Sequence, residues 1–288
     1  VVGVFERTSV RLVPDDKEKP NKYQDKLDAL NPMFFDTPAL ALRSCYDILL
    51  TLCRSSRDNI EKSFGLLENY DEKVYEEIVE EEANLDLLTD RVSRYIVEYL
   101  PHIRDAQNAA ILDQYYKVVT DFERLGDHAV NIADNAGSMH RLQKKFTKTA
   151  ISELQILEDL LREILDNVDL AFGKRDVDAA FRIEPLQQVA TDMVGKLKRH
   201  HLDRMSRGEC DIFTDANFEN LMSDMQRIAD VSTNIGEATL VRVNPELADN
   251  EHDYFAALRS GQNKEYNEQF NRAYEKYKDR FRKVADNG

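Results

Sequence analysis

Four polar residues recur twice in this chain at the same steps. Asp121, Arg124, Asp127 and Asn131 lie in DFERLGDHAVNIAD, and Asp224, Arg227, Asp230 and Asn234 lie in DMQRIADVSTNIGE. Steps of three, three and four put all of them on one face of a helix. Phe122, Leu125, Ala129 and Ile132 fall on another face and suit a core, as do Met225, Ile228, Ser232 and Ile235 in the second copy. Carboxylates at this spacing have two uses. An arginine between two aspartates can neutralise them and fix their oxygens through charge-assisted hydrogen bonds. Alternatively, the oxygens can bind a hard cation such as Mg²⁺, Mn²⁺ or Fe. The spacing leaves both open, because i,i+3 charge pairs are common on helices.

More acids stand upstream of each copy. IVEEEANLDLL carries Glu80, Glu81, Glu82 and Asp86, with Glu82 and Asp86 one turn apart. PLQQVATDMV, its counterpart, offers Asp192, with Gln188 where Glu82 would stand. The candidate cation ligands are therefore Glu82, Asp86, Asp121 and Asp127 in the first half, and Asp192, Asp224 and Asp230 in the second. Arg124, Arg227, Asn131 and Asn234 would orient them. If only one half holds metal, it is expected to be the first. His128 is matched by Val231, so symmetry argues against its being a ligand, and His200 and His201 are expected to face solvent. There is no Glu-x-x-His pair for a ferritin-type centre, no glycine-rich phosphate loop and no nucleophile–base pattern.

Long helices would position these residues. Thr37-Pro38 starts one that runs to about Asn69. A second spans Asp71 to Leu100, ended by Pro101, and a third runs from about Asp105 to Ser138. After a basic bridge at His140–Lys148 the plan repeats: Ile151–Phe172 closed by Gly173, Asp176–Met205 closed by Gly208, and Thr214–Val241 closed by Asn244-Pro245. The expected fold is all-α, two antiparallel three-helix bundles in tandem plus a C-terminal helix. The expected divisions are a linker at 1–36, bundles at 37–140 and 148–245, and an amphipathic tail at 246–288. Tyr266, Phe270, Tyr274, Tyr277 and Phe281 form one stripe on that tail, suited to docking on the bundles or to a dimer or partner contact.

Composition narrows the partners. A net charge of −15 over 288 residues opposes nucleic-acid binding and favours cations or basic partners. Three scattered cysteines suggest reduced thiols. No apolar run approaches the roughly 18–20 residues of a membrane span, and no signal peptide is visible.

ERLGDHAVNIAD resembles the PhoU family, regulators of bacterial phosphate uptake, and the resemblance extends over about residues 37–245. The second copy, DMQRIADVSTNI, is looser. The resemblance implies a regulatory, non-enzymatic protein that binds multinuclear metal clusters (Fe, Mn, Zn or Mg) through the motif carboxylates. VRLVPDD and LDALNPMFFDTPALAL are similar to the junction that precedes a PhoU-like domain in bacterial Na⁺/phosphate symporters. That likeness implies the regulatory domain of such a transporter, at the cytoplasmic face of the membrane, with its membrane part missing. The alternative is a free-standing PhoU-like adaptor that meets a transporter or sensor kinase in trans; a homodimer is among the expected assemblies.

Overall fold

The computed structural model describes residues 21–210, 212–244, 246–247 and 251–287. Residues 1–20 of the expected linker, and Pro245 at the expected end of the sixth long helix, lie outside the described residues. The chain is all-helical. Its elements are α1 (Gln24–Asp28), α2 (Pro38–Glu68), α3 (Glu72–Tyr99), α4 (Ala106–Arg141), α5 (Lys148–Lys174), α6 (Val177–Ser206), α7 (Ile212–Val243), α8 (Glu251–Arg259) and α9 (Lys264–Asn287). Two 3-10 turns, Pro32–Phe34 and Leu100–His102, lie before α2 and after α3.

Local chemistry sets the helix ends. Asp71, Asp105, Thr147 and Asp176 accept backbone N–H groups at the starts of α3, α4, α5 and α6, each cap worth about 1 kcal/mol. Thr37 makes no such bond, and Pro38 alone marks the start of α2. Gly173, the expected stop of α5, lies inside the helix, where its lack of a side chain admits Leu50 of α2, 3.1 Å from where a Cβ would stand. Arg175 takes the left-handed closing position instead, at φ 57°.

Helices α2, α3 and α4 pack as one bundle, and α5, α6 and α7 as the other. One continuous apolar core runs through both. The halves meet along two antiparallel seams. On the first, α2 faces α5 through Arg54–Asp169 (3.2 Å), Arg57–Asp166, Glu61–Arg162 (2.7 Å) and Glu68–Gln155 (2.6 Å). Exposed pairs of this kind contribute about 0–1 kcal/mol each and mainly fix register. On the second, α4 faces α7. The far ends are clasped by Arg242 of α7, which donates to the Phe172 carbonyl at 3.0 Å and lies over the Phe172, Tyr46 and Tyr115 rings.

Both terminal segments cover a bundle. Tyr23, Leu27 and Leu30 of the strap are buried, and the Tyr23 hydroxyl bonds Glu81 of α3 and Ser55 of α2. The aromatic stripe of α9 docks on α6 and α5, where Tyr277 donates to Glu163 at 2.5 Å, Arg280 pairs with Asp159 and Lys196 reaches Tyr274. His201 corrects one expectation. It is buried, stacks on Phe218 at 4.2 Å and lies 3.3 Å from Asp215, because α6 turns it inward and leaves His200 to bond Glu153. Glu153 also accepts from Arg204, a pair closed off from water.

Two measurements check this packing. Tyr277→Ala is expected to cost about 3–5 kcal/mol in urea unfolding, and Tyr277→Phe about 1 kcal/mol. Burial, with Arg204 close by, holds the His201 pKa below 6.5, against the pull of Asp215 and Glu219. The unfolded chain therefore binds this proton more readily, and stability intact above pH 6.5 should decline below it. His201→Phe should flatten that decline; an unchanged pH profile would refute the assignment.

Candidate metal centre and the seam between bundles

The repeated motif divides its residues between two jobs. Asp121 is buried on the α4–α7 seam and accepts from Asn234 Nδ2 at 3.3 Å. Asp224 accepts from Asn131 Nδ2 at 3.1 Å and lies 2.9 Å from His128 Nδ1. The first Asp of each copy thus meets the last Asn of the other. Asn135 extends the seam by donating to the Asn217 carbonyl at 2.6 Å. Asp121 and Asp224 were expected among cation ligands; the structure places both as acceptors between the bundles. Burial raises the Asp121 pKa, and Asn234 and Arg124 oppose that rise.

Asp127 turns the other way, toward α3. Carboxylate oxygens of Glu82, Asp86 and Asp127 all lie within 4.8 Å of one another. Gly126 permits this approach, since a Cβ there would come 3.1 Å from Leu85 of α3. Burial pushes the Glu82 pKa up to about 7, reinforced by Asp86, Asp127 and Glu123. Burial and Asp86 raise Asp127, and burial, Asp86 and Asp127 raise Glu123. Glu123 was not among the expected ligands. Its step of four before Asp127 was the available signal.

Few cations balance these acids. Arg124 is more than half exposed and stands 3.5 Å from Asp121. Its charge still eases Glu123 and Asp127, and His128 also eases Asp127. Arg227 is exposed on α7. Neither arginine bridges the paired aspartates of its own copy, as the salt-bridge alternative required.

The second bundle builds the same corner from amides. Asp230 accepts from Gln187 Nε2 at 2.8 Å and Gln226 Nε2 at 2.7 Å. Both amides also donate to the Thr191 hydroxyl. Gln187, Thr191 and Gln226 hold the places of Glu82, Asp86 and Glu123. Asp192 and Gln188, the expected counterparts, are one residue further along α6. That step rotates a side chain by about 100°. Asp192 accordingly pairs with Lys196 at 3.3 Å, and Gln188 bonds Gln187 and Glu184.

The donors around Asp127 are all carboxylate oxygens. Such a set suits Mg²⁺, Mn²⁺ or ferric iron better than Zn²⁺, which favours His and Cys. Around Asp230 a carboxylate is already satisfied by neutral donors.

Fold and site together define a duplicated helical-bundle protein with one acidic corner and one amide corner. Residues 49–136, which span most of the first bundle, match the PhoU domain family model. The chain is 24% identical over 213 residues to the phosphate-specific transport system accessory protein PhoU homolog of Clostridium acetobutylicum, covering 72% of this chain and 94% of that one. It is 23% identical over 218 residues to PhoU homolog 1 of Thermotoga maritima, covering 74% and 89%. Among solved structures, PhoU from Pseudomonas aeruginosa superposes with a TM-score of 0.67 at 18% identity, over 73% of this chain and 99% of that one. The phosphate transport system regulatory protein PhoU from Streptococcus pneumoniae gives 0.64 at 16% identity. These likenesses establish the fold.

The two jobs separate by mutation. A double-mutant cycle on Asn131→Ala and Asp224→Ala should give a coupling of about 1 kcal/mol in stability. Zero coupling would remove the seam assignment.

Proposed function

We propose that the chain is a PhoU-type regulator of phosphate transport, non-catalytic, that holds a cation at Glu82, Asp86 and Asp127 with Glu123 beside them. The observation that carries the cation site is the convergence of three carboxylates within 4.8 Å. The raised pKa values of Glu82 and Asp127 reflect burial and like charge left uncompensated, a cost that a multivalent cation relieves. The asparagines of the motif join α4 to α7, and in this reading neither they nor the motif arginines are ligands. In this reading Asp192, Asp224 and Asp230 are not ligands.

The regulatory role draws on the relatives, which are named as accessory proteins of phosphate-specific transport. Those names favour an adaptor acting in trans, on the cytoplasmic side, on a transporter or another phosphate-signalling protein. The symporter-like junction sequence favours a second reading, in which the same fold is a transporter's own regulatory domain. Among the described residues no helix is long and apolar enough to cross a membrane, which fits either reading. The reading frame upstream of Val1 separates them: a start codon close by supports the adaptor, and a series of apolar spans supports the transporter domain.

Elemental analysis tests the site. Purified protein should carry Mg, Mn or Fe, and Glu82→Gln with Asp127→Asn should lower the bound metal at least about tenfold. Asp230→Asn should leave the metal content unchanged. Equal metal in all three proteins would sink the assignment. Because Glu82 titrates near pH 7, cation affinity should fall as pH drops through 7, and Glu82→Gln should remove that dependence.

A further inference from the structure

The chain has 54 acidic and 39 basic residues, yet no acid occurs between Asp134 and Glu153. Arg141, Lys144, Lys145 and Lys148 all fall in that interval. It forms the turn from the first bundle to the second. Arg141 lies in the last turn of α4, where a cation complements the carbonyl end of the helix. Lys148 is the first residue of α5, where the dipole disfavours a cation. Lys145 and Lys148 are exposed, and helix stability accounts for neither. The turn itself is built. Gln143 takes φ 53°, and the amides of Gln143 and Lys144 donate to the carbonyls of His140 and Met139.

Under this basic turn lies a half-open cavity of about 220 Å³. Leu66, Ala136, Met139, Phe146 and Ile151 give it an apolar wall, and polar groups make up much of the rest of the lining. Tyr70, stacked on His140 at 4.6 Å, forms one side, and Lys144 and Lys145 also line it. Glu68, the acid of the lining, is engaged by Gln155. A chamber with one apolar wall and lysines at its edge suits a ligand with an apolar body and an anionic head.

We propose that this cavity binds a small amphipathic anion, a planar or short aliphatic body carrying a phosphate or carboxylate. The body rests on Ala136, Met139 and Phe146, and the head meets the lysines. Walls come from both bundles, so the bound anion bridges them. The site shares no residue with the acidic corner and does not rest on the cation reading.

Titration with 1-anilinonaphthalene-8-sulfonate, a planar apolar anion, tests this. Saturable one-to-one binding is expected. Lys145→Glu should weaken it at least about tenfold, and Ala136→Leu, which fills the floor, should do the same. Lys145 is exposed, so its variant should keep the wild-type circular dichroism and melting temperature; Ala136→Leu is read only if it does so too. Displacement by adenosine monophosphate identifies a planar phosphate, and displacement by octanoate an aliphatic carboxylate. The proposal fails if the probe does not saturate, if Lys145→Glu binds as wild type, if neither competitor displaces it, or if inorganic phosphate alone does so equally well.

Discussion

Antiparallel contact between α4 and α7 is the constraint on which the rest of this molecule depends. Asp121 meets Asn234 and Asp224 meets Asn131, so one sequence motif recognises its own copy across a pseudo-twofold seam. A carboxylate facing an amide is neither repelled by its partner nor left without a donor there. Two aspartates facing each other would repel, and two apolar residues would fix register less strictly. The repeated Asp and Asn thus act as keys for pairing the halves. The α2–α5 ladder and the Arg242 clasp hold the same alignment farther out.

That seam leaves α4 with a second polar face. Asp121 and Asn131 look toward α7, whereas Glu123 and Asp127 look toward α3. One helix therefore joins the inter-bundle contact to the acidic corner. A cation that draws α3 and α4 together would act on the helix that carries the seam. His128, next to Asp127 and bonded to Asp224, stands between the two.

Much of the fold was legible because long 3.6-residue periodicity and duplication are strong signals. The site was legible in part. The acids at 82, 86 and 127 were read among a larger group that also held Asp121, since spacing on each helix is a property of the sequence but the pairing of helices is not. Nor is the face of α4 that meets each neighbour: 121 and 127 share a broad polar arc, and only packing divides it. The alignment of Glu82 with Gln188 failed for a related reason. Two chemically similar glutamines stand side by side, and nothing local says which one points at Asp230. Pairings such as Glu153–Arg204 and Tyr277–Glu163 join residues far apart in sequence, and composition alone does not reveal such partners.

The contrast between the two corners argues for a division of labour within the duplication. Asp230 receives two amide hydrogens, so its charge is accommodated by fixed neutral dipoles. Asp127 has carboxylates in the same places, and their mutual repulsion raises the free energy of the ion-free state. Such a corner is sustained because the large core and the seam supply the stability it lacks. On the proposed cation reading, the amide corner has no place for an ion and ties its helix pair by fixed hydrogen bonds instead. On that same proposed reading, a half tied by neutral hydrogen bonds stands against a half whose helix pair would answer to an ion, an asymmetric device. In it, the change on binding should be concentrated at α3 and α4, with α6 and α7 serving as the frame against which they move.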